Sequence, residues 1–364
     1  MQHDLAFLPA WYGSGSDFVF LEEDLSPEFI LSIQELQANI GRAITKETLG
    51  SKDKELSLWG ISQQAIKYFE RISLRYNSSI AIPQWKEIYR LWCSRQTSTL
   101  CLNYLIEQIP EIETNIRPSF FDNMEDIISF VNKQNAYLLA KAPYSSSGRG
   151  LVWINSNEIM RSERQQIQGI LKKQSCISIE AVLNKHLDFA MEFSIDKEQE
   201  VHFIGLSLFQ TSPKGAYLGN LICQQKDIEN TISQYIDPHL LNKIENSLCL
   251  YIKENFACDY QGYLGVDMMI YESNKKYMLH PCIEINMRSN MGVLAIHLHE
   301  KILEQHSNAS FSIDYSSERG YNLSKHRELT KSFPPIFENN KLKSGYLSLC
   351  PVSEKSRYMA YIKV

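Results

Sequence analysis

Eight cysteines are scattered over 364 residues, at positions 93, 101, 176, 223, 249, 258, 282 and 350, and no two form a C-x-x-C pair. Zinc ribbons and dithiol redox motifs need that spacing, so neither is expected, and no disulfide framework is indicated. Reduced, mostly buried thiols in a cytoplasmic protein are the simplest expectation. Basic excess is also missing: 37 Lys and Arg stand against 42 Asp and Glu, a net charge of -5. Nucleic acid is therefore not an expected partner, and no long block of like charge marks a tail. No apolar run approaches the ~18 residues of a membrane helix, so no membrane partner is expected. Residues 1–20 have no basic stretch followed by an apolar one, which argues against a secretory signal. Internal repeats and low-complexity segments are absent, as is the Gly-Lys-Ser/Thr ending of a P-loop.

What is present is a chain that is 44% hydrophobic, enough for one sizeable core or several smaller ones. Residues 1–93 read as a separate α/β unit. A short strand is expected at 17–21, and a helix starting at Ser26 with Pro27 and Glu28. A strand end is expected near 56–60 and an amphipathic helix at 63–74. Gly13-Ser14-Gly15-Ser16 reads either as a phosphate loop or as an ordinary N-terminal loop. From residue 94 the pattern changes. Helices are expected at 97–108, 123–133, 158–172 and 237–255. Strands are expected at 137–140, Leu151–Ile154, 176–181, 189–195, 201–209, 262–271 and Lys276–Asn286, with two strand-like runs in 345–364.

Two segments carry chemistry. Lys141 closes a strand, and the loop Ala142-Pro143-Tyr144-Ser145-Ser146-Ser147-Gly148-Arg149-Gly150 leads into the next strand. Strand–loop–strand excludes the helix-dipole mode of anion binding. Backbone N–H groups of such a hairpin loop form a nest for phosphates, serine hydroxyls add donors, and Lys141 and Arg149 add charge. Gly148 and Gly150 permit close backbone approach. An ordinary solvated hairpin is the alternative.

The second segment is Gly265-Val266-Asp267 with Glu284-Ile285-Asn286-Met287-Arg288. Glu284 and Asn286 are two apart in a strand and share a face. Magnesium takes oxygen from one or two carboxylates plus phosphates and water, a demand that Asp267, Glu284 and Asn286 meet. Mn2+ is an acceptable substitute. Arg288 follows on the same face, suited to phosphoryl charge. A symmetric turn at 273–275, however, pairs Asp267 with Pro281 and sends Glu284 and Asn286 to the opposite face. A register shift or a bulge near Pro281 is required. His280, His297 and His299 read as core or rim residues rather than a zinc set.

In this order the segments resemble the ATP-grasp superfamily of carboxylate–amine ligases over residues 94–295, and the chain is read as an α/β (α+β) protein of that fold. The resemblance implies an N-terminal pre-ATP-grasp domain at 1–93 and an ATP-grasp domain at 94–364. Within the latter, 94–183 would clamp the nucleotide and 184–364 would carry the metal and the catalytic groups. Ser94-Arg95 looks like the family's Asp-Lys, with Arg95 in place of a phosphate-contacting lysine. Lys141 resembles the second such lysine, and Ser145, Ser146, Ser147, Gly148, Arg149 and Gly150 the loop that closes over the triphosphate. Glu180, Ala181, Val182 and Leu183 match the adenine hinge. Asp188 stands where the family has a ribose-binding acid, usually Glu. Asp267, Glu284 and Asn286 match the metal ligands, and Arg288 the polar position after them. Lys214 is placed in a loop that would reach the γ-phosphate. ATP and Mg2+ are implied, with small-molecule or peptide carboxylate and amine substrates and homodimers among the expected assemblies. A kinase using the same site, a nucleotide-binding module without turnover, and a magnesium hydrolase are the competing readings. Trp11, Tyr12, Trp59 and Arg75 are the aromatic and basic residues that an acceptor pocket in residues 1–93 would draw on.

Overall fold

A computed structural model describes residues 2–50, 53–145, 148–155 and 158–364, and of residues 37 and 38 the backbone only. The N-terminal part contributes two short parallel pairs, β1 (Phe18–Phe20) with β2 (Arg42–Ile44) and β3 (Lys54–Glu55) with β4 (Ile80–Ala81). Helices α1 (Pro27–Ser32), α2 (Gln63–Arg75) and α3 (Ile88–Trp92) lie among them. Ser26 and Ser62 cap the first two, their Oγ atoms accepting from Phe29 N and Ala65 N at 3.2 Å. Residues 56–60, expected to end a strand, lie outside any strand.

Strands of two and three residues cannot bury a core by themselves. Phe7, Trp11, Phe29 and Ile40 instead join Leu294, Leu298, Phe311, Leu347 and Ile362 from the C-terminal part. Tyr89 and Trp92 join the main core. The boundary expected at residue 93 therefore does not separate two cores.

A small lobe follows. Strands β5 (Ser119–Phe121), β6 (Leu138–Lys141), β7 (Leu151–Ile154) and β8 (Ile177–Ala181) form an antiparallel sheet in the order β5-β8-β6-β7. Helices α5 (Met124–Val131) and α6 (Arg161–Gln174) complete its core around Ile127, Ala140, Val152, Ile167 and Ile179. Helix α4 (Arg95–Gln108), grouped with this lobe on the sequence reading, belongs elsewhere. Its Cys101, Leu102, Leu105 and Ile106 are buried in the main core.

The main sheet has the order β13-β12-β9-β10-β11-β14-β18-β17. Its strands are β9 (Asn184–Ile195), β10 (Val201–Thr211), β11 (Tyr217–Ile222), β12 (Gly262–Ser273), β13 (Lys276–Asn286), β14 (Ala309–Tyr315), β17 (Tyr346–Ser348) and β18 (Tyr358–Lys363); β15 (Ile336–Glu338) and β16 (Lys341–Ser344) pair separately. Phe189, Met191 and Phe193 of β9, with Val266, Met268 and Ile270 of β12, face α4, α7 (Gln225–Ser233) and α8 (Pro238–Asn255). The opposite face carries Asp188, Glu192, Ser207 and Asp267, with α9 (Met291–Ile302) packed beside them; α10 (Tyr321–Ser332) lies against β17. Among the described residues no helix is long and apolar enough to cross a membrane.

The β12–β13 register resolves the face problem in two steps. The turn has two residues, Asn274 and Lys275, at φ 51° and 63°, so Ser273 pairs with Lys276 rather than Tyr271 with Tyr277. Positive φ at both positions suits a right-twisted hairpin. Shortening the turn by one residue moves Glu284 and Asn286 onto the face of Asp267. A shift between Asp267 and Met269 then carries the partner from His280 to Glu284, with two extra residues in β13. Asp267 thereby lies directly opposite Glu284, and Gly265 opposite Asn286.

Phe193 is fully buried where β9 meets α8. Phe193→Ala is expected to cost about 3–5 kcal/mol, read from urea unfolding monitored by circular dichroism.

Candidate active site

The cleft between the small lobe and the edge of the main sheet brings most of the expected residues together. Asp267 and Glu284 face each other across the strand pair, and Asn286 Nδ2 donates to Asp267 Oδ2 at 3.0 Å. Arg288 Nη2 donates to Asn286 Oδ1 at 2.8 Å. Burial, with Glu284 and Glu192 nearby, holds the Asp267 carboxyl well above the usual carboxylate range. Two facing acids and an amide, with the guanidinium groups of Arg288 and Arg95 beside them, make an oxygen-rich donor set. The residues fit a hard divalent cation, with Asp267, Glu284 and Asn286 as its oxygen donors. Among the described residues no group of three His, Cys, Asp or Glu is placed to hold a metal ion.

Arg95 joins this corner to the loop. Its Nη2 lies 3.3 Å from Glu284 Oε2 and 3.5 Å from Ser145 Oγ, and its Nε donates to Ala142 O at 3.2 Å. Its backbone N donates to Pro143 O at 3.0 Å. Lys141 pairs with Glu180 across the β6–β8 strands. Ala142 N donates to Gly150 O at 2.9 Å, closing the loop at its base. Gly150 has φ +79°, and a Cβ there would meet Ala142 and Ser145 at 2.9 and 3.0 Å. Gly148, at φ +74°, packs on the β10–β11 turn, where a Cβ would lie 2.9 Å from Ala216 N. Lys214 sits exposed in that same turn, so the loop containing Arg149 and the turn containing Lys214 meet at the mouth of the cleft. Ser146 and Ser147 lie outside the described residues.

The segment expected to serve as the hinge is the end of β8 with residues 182 and 183, where Val182 N donates to Tyr137 O at 2.9 Å. Asp188 faces Met269 on the site side of the sheet. Its Oδ2 accepts from Thr211 Oγ1 and Lys185 Nζ, both at 2.6 Å. Of the acceptor candidates, Trp11 is fully buried and donates Nε1 to Leu349 O at 2.7 Å, a core role. Arg75 is exposed at the end of α2. Tyr12 and Trp59 meet at 5.9 Å, and Trp59 O accepts from Ser289 N at 2.8 Å, which brings both beside Arg288.

Two residues were missed. Glu192 is buried on the floor of the site, accepting from Ser207 Oγ at 3.0 Å and Asn290 Nδ2 at 2.7 Å. Asn290 also caps α9 by accepting from Gly292 N and Val293 N. Burial pushes the Glu192 carboxyl up to about 7. A Cβ at Gly265 or Gly292 would overlap its carboxylate oxygens. The signal was available: Asp188, Ala190 and Glu192 alternate with Phe189, Met191 and Phe193, which puts the acid on the Asp188 face. His280, read as a core or rim histidine, lines the cleft with Lys141, Glu180 and Ile283. Its face is set by the two-residue turn, in whose register it pairs with Met269 on the side of Asp267.

No family model matches the sequence, and no curated protein matches it. Solved structures do match the fold. A Staphylococcus aureus N5-carboxyaminoimidazole synthetase complexed with ADP is 14% identical with TM-score 0.50, covering 97% of this chain and 94% of that one. A Campylobacter jejuni biotin carboxylase in a β-γ-ATP complex is 11% identical with TM-score 0.53, covering 84% and 69%. An Aspergillus clavatus carboxyaminoimidazole ribonucleotide synthase complexed with ATP is 12% identical with TM-score 0.51, covering 97% and 94%. The chain has the ATP-grasp fold.

Two outcomes are expected. An acid whose pKa is raised on folding binds more protons folded than unfolded, so stability falls as pH rises through that window. For Glu192 the window runs from the ordinary 4.5 to about 7. Without divalent cations, the Tm should fall between pH 5 and pH 8; added Mg2+ should raise it more at pH 8, and Asp267→Asn should remove most of that Mg2+ effect. Gly292→Ala should lower the Tm by forcing the Glu192 carboxylate aside, as differential scanning fluorimetry would show.

Proposed function

We propose that the protein is an Mg-ATP-dependent ligase that joins a carboxylate to an amine. The observation that carries this reading is the position of Arg95, whose one guanidinium touches both the Ser145 loop and Glu284. Loop and acid corner thereby meet at one side chain. The solved neighbours with the same fold hold ADP or ATP, and one of them is a biotin carboxylase, which supports the same assignment.

In this reading the small lobe clamps the nucleotide. Glu180–Leu183 hold adenine, Asp188 the ribose, and Lys141, Arg95 and the loop at 145–150 the phosphates. A bound Mg2+, or Mn2+ in its place, would be held by Asp267, Glu284 and Asn286 and would neutralise phosphate charge. An oxygen of the substrate carboxylate attacks the γ-phosphorus, and the bond to the β-phosphate oxygen breaks to release ADP. The amine nitrogen then attacks the acyl carbon of the acyl phosphate. Inorganic phosphate leaves and the nitrogen gives up its proton to solvent or to the departing phosphate. The chain supplies position and charge, as in phosphoryl transfer generally. Lys141 and Arg95 must exchange Glu180 and Glu284 for phosphate oxygens. Arg288 offsets charge at the acyl phosphate, and Lys214 reaches the γ-phosphate from the turn at the cleft mouth.

ADP release from Mg-ATP, screened against amino acids and small peptides with mass detection of products, tests the reading. Lys141→Ala and Glu284→Ala should each lower carboxylate-dependent ADP release about 10²–10³-fold. Unchanged turnover in both variants, or a phosphorylated hydroxyl as the product, would refute it.

A further inference from the structure

Glu192 is 1% exposed, an acid on the floor of the site with almost no solvent to hold its charge. A buried carboxylate is costly unless its oxygens are hydrogen-bonded. An apolar side chain of the same length would fill that volume without the cost. What the acid contributes therefore lies in the bonds it accepts, from Ser207 Oγ of β10 at 3.0 Å and from Asn290 Nδ2 at 2.7 Å.

The second bond fixes an amide whose orientation the network decides. Asn290 Oδ1 accepts from Gly292 N at 2.8 Å and from Val293 N at 3.0 Å, and backbone N–H groups only donate, so the oxygen faces α9 and the Nδ2 faces Glu192. Asn290 ends the turn that carries Arg288. From the N-terminal part, Trp59 O accepts from Ser289 N at 2.8 Å and steadies the middle of that turn. Within it, Arg288 N donates to Asn286 O at 2.8 Å, Arg288 Nη2 to Asn286 Oδ1 at 2.8 Å and Arg288 Nη1 to Ser289 O at 3.4 Å. The guanidinium is thus aimed from a turn whose far end rests on a buried acid of β9.

We propose that Glu192 is a positioning residue for the reaction: by holding the Asn290 amide it fixes the turn at 288–290 and so places the Arg288 guanidinium against Asn286. The proposal rests on the role assigned to Arg288 above. Glu192 acts through Asn290 and not by contact with substrate. Lys141, Arg95 and the segment at 180–183 do not hang on this turn, so its loss should appear in turnover and not in the hold on ATP.

Glu192→Gln and Glu192→Met, made in the whole chain, test this. Both remove the same negative charge and keep the length of the side chain. Only glutamine keeps an oxygen for Asn290 Nδ2, its own NH2 turning to the Ser207 hydroxyl. With Mg-ATP and the mixture of amino acids and small peptides as probe, Glu192→Met should lower kcat for ADP release about tenfold or more, with the KM for ATP held within about twofold. Glu192→Gln should recover most of that kcat. Equal kcat in the two variants, or a KM for ATP that rises in step with the loss, overturns the proposal. Should Glu192→Met fail to fold, Asn290→Ser takes its place: serine still caps α9 but is too short to reach Glu192, so kcat should fall in the same way, and a wild-type kcat there overturns the proposal. Wild type that releases no ADP with the mixture removes the ligase reading and any role of Glu192 in it. Amide hydrogen exchange then decides whether the acid holds the turn. The N–H groups of Ser289, Gly292 and Val293 should exchange about tenfold faster in Glu192→Met than in wild type or Glu192→Gln, and equal protection in all three overturns that hold.

Discussion

The register of one hairpin governs the candidate site. In a β-strand pair the side-chain period is two, so a one-residue change in the turn sends every side chain to the other face. The two-residue turn at Asn274-Lys275 places Glu284 and Asn286 on the face of Asp267, and the two extra residues in β13 then move Glu284 directly opposite it. The meeting of Asp267 with Glu284 and Asn286, the reach of Arg95 to Glu284, and the face of His280 all follow from that local count. Neither device involves an unusual residue type. They are matters of number, and number is what a strand pair converts into geometry.

Charge in the cleft is arranged in crossed pairs. Lys141 holds Glu180 and Arg95 holds Glu284, so each expected phosphate contact is bound to an acid with a different proposed task. These side chains are largely buried, where an unpaired charge is costly and a paired one is tolerated. The arrangement keeps the cleft near neutrality before an anion enters. On the proposed function, a triphosphate entering with its cation would bring both signs at once and replace both pairs without leaving a charge stranded.

Much of this was legible from residue order. The shared face of Glu284 and Asn286 follows from their spacing of two, and the lysine-ended strand followed by a Ser/Gly loop is a hairpin as its pattern required. The limits were equally physical. Residues 1–93 looked separate because their elements are self-consistent, yet strands so short must borrow a core, and they take it from strands some three hundred residues away. Helix α4 looked like the start of the small lobe because it precedes it, whereas its apolar side packs under β13. A register shift or a bulge was required by the chemistry of Asp267 before either was seen; both are present, and the length of the bulge was not predictable. Glu192 was available to the same alternation argument and was passed over because an isolated acid between apolar residues gives no hint of what it will meet.

Glu192 meets two glycines, and that has a consequence for how such chains diverge. Its carboxyl occupies the volume into which side chains at 265 and 292 would project. Three positions on β9, β12 and α9 thus compete for a single space, and only one of them can fill it. A side chain gained at either glycine would force the acid out of that volume. The three positions are therefore coupled, and a change at one alters what the other two can hold.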